Sequence, residues 1–156
     1  RDAQESRGLG DVYKRQGLTL KDLGRSEEAL DAYRKALALK PDYAEAYYNL
    51  GSTLQELGNL EGAEINYRQA IKLMPDYTEA HNNLGNTLMG LRRLLEAEAS
   101  YRKAIALKPD FAVAYYNLGN TYRELSRFDE ATVNYTRAIA LKPDHAQAHY
   151  KTHPNK

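Results

Sequence analysis

The chain has no cysteine, no tryptophan, only two phenylalanines and two methionines, and no surplus of charge of either sign. Without cysteine there is no disulfide framework and no thiolate metal site, and the redox compartment stays open. No stretch approaches the roughly 18 consecutive apolar residues that a membrane-spanning helix needs. Twenty-two basic against 21 acidic residues leave a net charge of +1, too little to draw in nucleic acid or an anionic membrane surface. Also missing are a glycine-rich phosphate loop, a Ser, His and Asp set, and paired acids in unique positions. No catalytic residue, no cofactor and no metal site is expected.

Proline is scarce as well, and four of the five prolines, Pro41, Pro75, Pro109 and Pro143, stand 34 residues apart. The whole sequence follows that interval. Ala44 to Tyr77 reads AEAYYNLGSTLQELGNLEGAEINYRQAIKLMPDY, and Thr78 to Phe111 and Ala112 to His145 repeat it in register. A fixed period in this range means stacked supersecondary units, each too small to bury its own apolar face.

Within one unit, Tyr47, Leu50, Leu54 and Leu57 fall three or four apart, the spacing of one helical face. This is helix A. After the helix stop at Gly58 and Asn59, Leu60, Ala63, Tyr67, Ala70, Ile71 and Leu73 resume the period as helix B. Pro75 lacks an amide hydrogen and bars its predecessor from helical geometry, so helix B should end near Leu73 or Met74. Gly51, Gly85 and Gly119 recur on helix A, where each costs roughly 1 kcal/mol relative to alanine; a close approach of the helices must offset that. Tyr33, Tyr67, Tyr101 and Tyr135, with Leu37, Ile71, Ile105 and Ile139, are expected to fill the space between one hairpin and the next. Acids early in helix B and bases late in it, such as Glu61 and Glu64 against Arg68 and Lys72, suit the helix dipole.

The order Tyr47, Leu50, Gly51, Leu54, Ala63, Tyr67, Ala70, Pro75 resembles the tetratricopeptide repeat. The resemblance implies an all-α solenoid of antiparallel helical hairpins in a right-handed superhelix, with helix A lining the concave side. The family prefers Trp where Tyr47, His81 and Tyr115 stand, and Gly in the loop where Arg92 and Ser126 stand, so the third and fourth turns are expected to differ slightly.

The ends depart from the repeat. Residues 1–16 are read as a non-native leader, since Asp11 to Gln16, DVYKRQ, resembles a translated sequencing-adapter scar, and Gln16 falls where the repeat has leucine. They should add little to stability. The array then comprises a partial repeat at 17–43, full repeats at 44–77, 78–111 and 112–145, and a truncated one at 146–156. His145, His149 and His153 are spaced by four, yet the first two occupy packing positions of the repeat and Pro154 would fray the third, so zinc is not expected. The Asn134, Tyr135, Thr136 triplet falls inside a helix and is read as chance.

What remains is the exposed side of the A helices. Asn49, Asn83 and Asn117 recur once per repeat; beside them stand Tyr48, Asn82 and Tyr116, then Ser52, Asn86 and Asn120. An asparagine amide both donates and accepts, so a ladder of them can hold a peptide backbone with little regard to its side chains. The expected partner is therefore another protein or an extended peptide. Some tetratricopeptide domains grip C-terminal carboxylates with Lys, Arg and Asn, but Glu45, Glu79, Tyr48, Asn82 and Val113 hold those positions. The ladder is instead similar to the repeat region of protein O-GlcNAc transferases, which implies an alternative: the substrate-recruiting arm of a larger glycosyltransferase or sulfotransferase whose catalytic domain lies elsewhere. The expected compartment is the cytoplasm; the oligomeric state stays open.

Overall fold

Each 34-residue unit folds into the two helices that its periodicity predicts. The computed structural model describes residues 2–142, which form α1 (Ala3–Asp22), α2 (Ser26–Leu39), α3 (Ala44–Glu56), α4 (Leu60–Leu73), α5 (Thr78–Gly90), α6 (Leu94–Leu107), α7 (Ala112–Glu124) and α8 (Phe128–Leu141). Odd-numbered helices are the A helices, even-numbered ones the B helices. The B helices end at Leu39, Leu73, Leu107 and Leu141, and the residues after them, Lys40, Met74, Lys108 and Lys142, turn to φ near −139° as a residue before proline must. The truncated repeat at 146–156 and the three C-terminal histidines lie outside the described residues.

The turn between A and B is the same in all four hairpins. Gly24 and Gly58 adopt left-handed φ of 76° and 83°, and so do Arg92 at 62° and Ser126 at 59°. In each, the left-handed residue donates to a carbonyl three residues back and its successor to one five back: Ser126 N–H to Arg123 at 3.0 Å and Arg127 N–H to Tyr122 at 2.8 Å, matching Gly58 to Gln55 and Asn59 to Leu54. This paired bonding closes the helix end with or without glycine. The expected slight difference in the third and fourth turns is confined to φ, 62° and 59° against 76° and 83°; the hydrogen bonds are common to all and hold Arg92 and Ser126 in a conformation that costs a non-glycine residue roughly 1–2 kcal/mol.

Glycine and tyrosine close each hairpin. A Cβ placed on Gly17, Gly85 or Gly119 would lie 2.5, 2.5 or 2.6 Å from the ring of Tyr33, Tyr101 or Tyr135, and one on Gly51 would lie 3.0 Å from Tyr67. The four tyrosines are fully buried. They fill the space within each hairpin rather than between hairpins as expected: the bare glycine backbone on helix A leaves room for a whole ring. Burying such a ring contributes about 1.5–3 kcal/mol, more than a helical glycine costs.

The chain divides into two compact units, Arg1–Ala80 and His81–Lys156. In the first, α1 with α2 and α3 with α4 are stacked hairpins, joined by a core of Ala36, Tyr43 and Ala46 against which Tyr13 and Leu37 pack. Residues 3–16 are thus not apart from the array. They are the greater part of α1, capped by Asp2, which accepts from Glu5 N–H at 2.8 Å. Three ion pairs tie them across: Arg7–Asp42 at 3.1 Å, Lys14–Glu45 at 2.8 Å and Lys40–Asp11 at 3.9 Å. The first repeat is a full hairpin because Gly10, Tyr13 and Gly17 hold the small, large, small order that helix A needs.

In the second unit, α7 with α8 form a hairpin stacked on α6. Tyr122, standing where other repeats have leucine, takes hydrogen bonds from Arg102 and donates to Glu98 at 3.0 Å, while the Arg127 guanidinium lies 4.5 Å from its ring centroid. Arg127 also binds Glu98 at 3.0 Å and Glu130 at 2.6 Å. A buried phenol needs such partners, whereas leucine would not.

Candidate functional site

The exposed side of the A helices carries the amides and phenols singled out by the sequence, and their positions follow from the glycine–tyrosine packing beneath them. In the first unit Tyr48 is half-buried: its ring stacks on Tyr77 at 4.9 Å between centroids and tilts against Tyr67 at 5.8 Å. Ser52 accepts from Lys21 Nζ at 3.0 Å, and the same ammonium pairs with Glu56 at 3.0 Å. Asn49 is half-buried; its carbonyl accepts from Thr53 Oγ1 at 2.9 Å, and its side chain makes no hydrogen bond to a described residue.

The second unit is a connected network. Asn117 Nδ2 donates to Asn82 Oδ1 at 3.2 Å, joining α7 to α5, and Asn82 Nδ2 points on to Asn83 Oδ1 at 3.4 Å. Asn82 is only 4% exposed, so it is an amide that links repeats rather than a surface available to a partner. Asn86 accepts from the hydroxyl of Tyr101, and Asn120 from that of Tyr135, both at 2.6 Å. These two asparagines, expected among the peptide-binding residues, each accept a bond inside the hairpin, because a buried phenol left without an acceptor would cost about 1–3 kcal/mol. Tyr116 tilts against Tyr135 at 5.8 Å.

The same rule exposes an exception in the first unit. Tyr67 finds Gln55 Oε1 at 2.7 Å, but the buried hydroxyl of Tyr33 has no hydrogen bond. Burial pushes Tyr33 up to about 12, opposed in part by the nearby Thr53 hydroxyl, whose own hydrogen is donated to Asn49 O. Leu18 stands where Asn86 and Asn120 stand in their repeats. The 15-residue interval from Asn86 to Tyr101 and from Asn120 to Tyr135 is visible in the sequence, but it joins a turn of helix A to a turn of helix B, and helical periodicity alone does not join the two.

Among the described residues no cluster of His, Asp and Glu could hold a metal ion, and no helix is long and apolar enough to cross a membrane. Asn134 Nδ2 donates to Glu130 O within α8 at 2.8 Å.

Family models described as TPR repeat match residues 17–58, 53–91 and 93–125, and one described as Tetratricopeptide repeat matches 112–145. The chain belongs to the tetratricopeptide repeat family. Its family match begins at Gly17, while the helix that holds Gly17 begins at Ala3. No curated protein sequence matches it significantly. Among solved tetratricopeptide structures, a crystal structure of MamA is 28% identical with a TM-score of 0.83, covering 87% of this chain and 80% of MamA. The first tetratricopeptide domain of Spaghetti (RPAP3), bound to the HSP90 peptide SRMEEVD, is 26% identical with a TM-score of 0.76, covering 77% of this chain and 95% of that one. PilF of Pseudomonas aeruginosa, at 24% identity and a TM-score of 0.85 over 97% of this chain and 68% of its own, shares the fold. The fold is an all-α tetratricopeptide solenoid, and family and neighbours support a protein-interaction scaffold.

Proposed function

We propose that the chain is a non-catalytic interaction module that holds an extended segment of another protein against the exposed side of its A helices. The observation that carries this reading is the composition of that side: Tyr48 and Asn49 in one unit, Asn83, Asn86, Tyr116, Asn117 and Asn120 in the other, half-buried, uncharged and amide-rich. Half-buried amides on rigid helices lose little freedom on binding and can satisfy main-chain groups in both senses. A solved relative with this fold, the first tetratricopeptide domain of Spaghetti (RPAP3), is bound to an HSP90 peptide. Solenoids use their extended faces in this way.

The test replaces Asn49, Asn83 and Asn117 together with alanine and measures binding of peptides selected from a displayed library of random 12-residue sequences. Each amide contributes about 0.5–1.5 kcal/mol, so affinity should fall by about one to three orders of magnitude. Loss of the Asn117–Asn82 bond should cost stability only about 1 kcal/mol. A well-folded triple variant with undiminished affinity refutes the reading, as does turnover of an ester, phosphate or sugar substrate that a single substitution abolishes.

A further inference from the structure

We infer that the outward side of α8 is a self-complementary surface that joins two copies of the chain through antiparallel α8 helices; this goes beyond the proposed function and does not depend on it. α8 turns Ala131, Tyr135 and Ala138 into its own hairpin, and Val133 stands on the opposite side, 67% exposed. That position faces outward in every described hairpin. Asp31, Ile65 and Ala99 hold it in α2, α4 and α6, and all three are exposed, although a further A helix packs on α2 and on α6. The exposure of Val133 therefore belongs to this side of the helix and does not arise from its being on the last described one.

The charges around Val133 distinguish α8. Asp129 stands one turn before it and Arg137 one turn after it on the same side, and neither has an ion-pair partner among the described residues. They are about 12 Å apart along the axis, too far to meet each other. Arg137 lies 5.9 Å from the Tyr115 ring centroid, at the outer reach of a cation–π contact, and stays exposed. Thr136 replaces the arginine that Arg34, Arg68 and Arg102 supply at its position, so no cation stands between Val133 and Ala140 on the outward side. The other B helices lack this arrangement: α2 has Asp31 at the centre, α4 has Gln69 where α8 has Arg137, and α6 has Leu95 where α8 has Asp129.

A second copy supplies the missing partners. When two α8 helices pack antiparallel about a twofold axis at Val133, the two valines meet and Asp129 of each copy faces Arg137 of the other. A parallel pairing sets acid on acid and base on base, so the charges select the antiparallel one, and the opposed helix dipoles act in the same sense. One side of a single helix offers far less than the roughly 800 Å² per partner of a standard interface, so the dimer is weak, with a dissociation constant on the order of 0.1 mM.

Sedimentation equilibrium of the full chain at low salt, from about 10 µM to about 1 mM, reads the association. The dimer should form toward the upper end of that range, and Val133→Glu should abolish it. Asp129→Lys and Arg137→Glu each turn two attractions into two repulsions and should weaken self-association at least about 10-fold. Mixing these two variants in equal amounts should bring association back to within about 3-fold of the parent chain, because each substituted position then meets the opposite charge on the other variant. A folding defect cannot be repaired by mixing, so the recovery decides even where one variant melts early. A parent chain that stays monomeric throughout the range overturns the inference, as does a dimer indifferent to Val133→Glu or a mixture that associates no better than either variant alone.

Discussion

Replacing the helix A glycines one by one separates two opposing effects. Gly85→Ala gives α5 a better helix former, worth about 1 kcal/mol. The new methyl, however, would lie 2.5, 2.7 and 2.8 Å from Tyr101 Cε1, Cδ1 and Cζ. Tyr101 is 1% exposed and its hydroxyl is held by Asn86, so the ring cannot withdraw without leaving its own core. Overpacking costs about 1–3 kcal/mol, and a displaced ring forfeits a bond worth about 1 kcal/mol. The net loss for Gly85→Ala is about 1–3 kcal/mol. Gly51 is looser: its nearest ring atom would be 3.0 Å away, so a shift of a few tenths of an ångström suffices and Gly51→Ala should be nearly neutral. At Gly8, inside α1 with nothing within 4 Å, alanine should stabilise by about 1 kcal/mol. Urea unfolding followed by circular dichroism ranks the three, and Gly85→Leu should fall below Gly85→Ala. The reasoning fails if Gly85→Ala is as stable as Gly51→Ala, because then the ring contact does not decide the hairpin's closure.

The left-handed turn residue predicts that Ser126→Gly raises stability by about 0.5–1 kcal/mol, the relief of φ 59° less the greater entropy of glycine when unfolded, and an unchanged urea midpoint refutes it. Supplying the absent partner of the Tyr33 hydroxyl through Leu18→Asn should stabilise by about 1 kcal/mol, with Leu18→Ala as the control that removes the leucine without adding an amide; equal stability of the two variants counts against a phenol–amide bond like those of Tyr101 and Tyr135. Deleting residues 1–16 should lower the melting temperature by several degrees, because it uncovers the Ala36, Tyr43 and Ala46 core and severs the ion pairs of Lys14 and Arg7. An unchanged melting temperature would return these residues to the role of a dispensable leader.

The 34-residue interval, the helical spacing and the pre-proline stops determine the hairpins by themselves, since they act through local backbone sterics and through apolar faces set three or four residues apart. The small and large positions of Gly17, Gly51, Gly85, Gly119 and their tyrosines were equally visible, but not which surface the rings would fill; that depends on how closely two helices approach. The same limit applies to Arg92 and Ser126, whose identity suggests an altered turn while the hydrogen bonds of the closed hairpin impose the common one. Residues 1–16 read as foreign by resemblance, yet Tyr13 and Gly17 in register were enough to complete a helix once α2 lay beside them. At the candidate site the sequence placed the amides on one helical side, and only the tertiary structure decided which of their atoms remain to be offered. An asparagine has the same side chain wherever it stands; a buried phenol donating from the neighbouring helix engages the oxygen of Asn86, and an amide from another repeat ties Asn117 to Asn82.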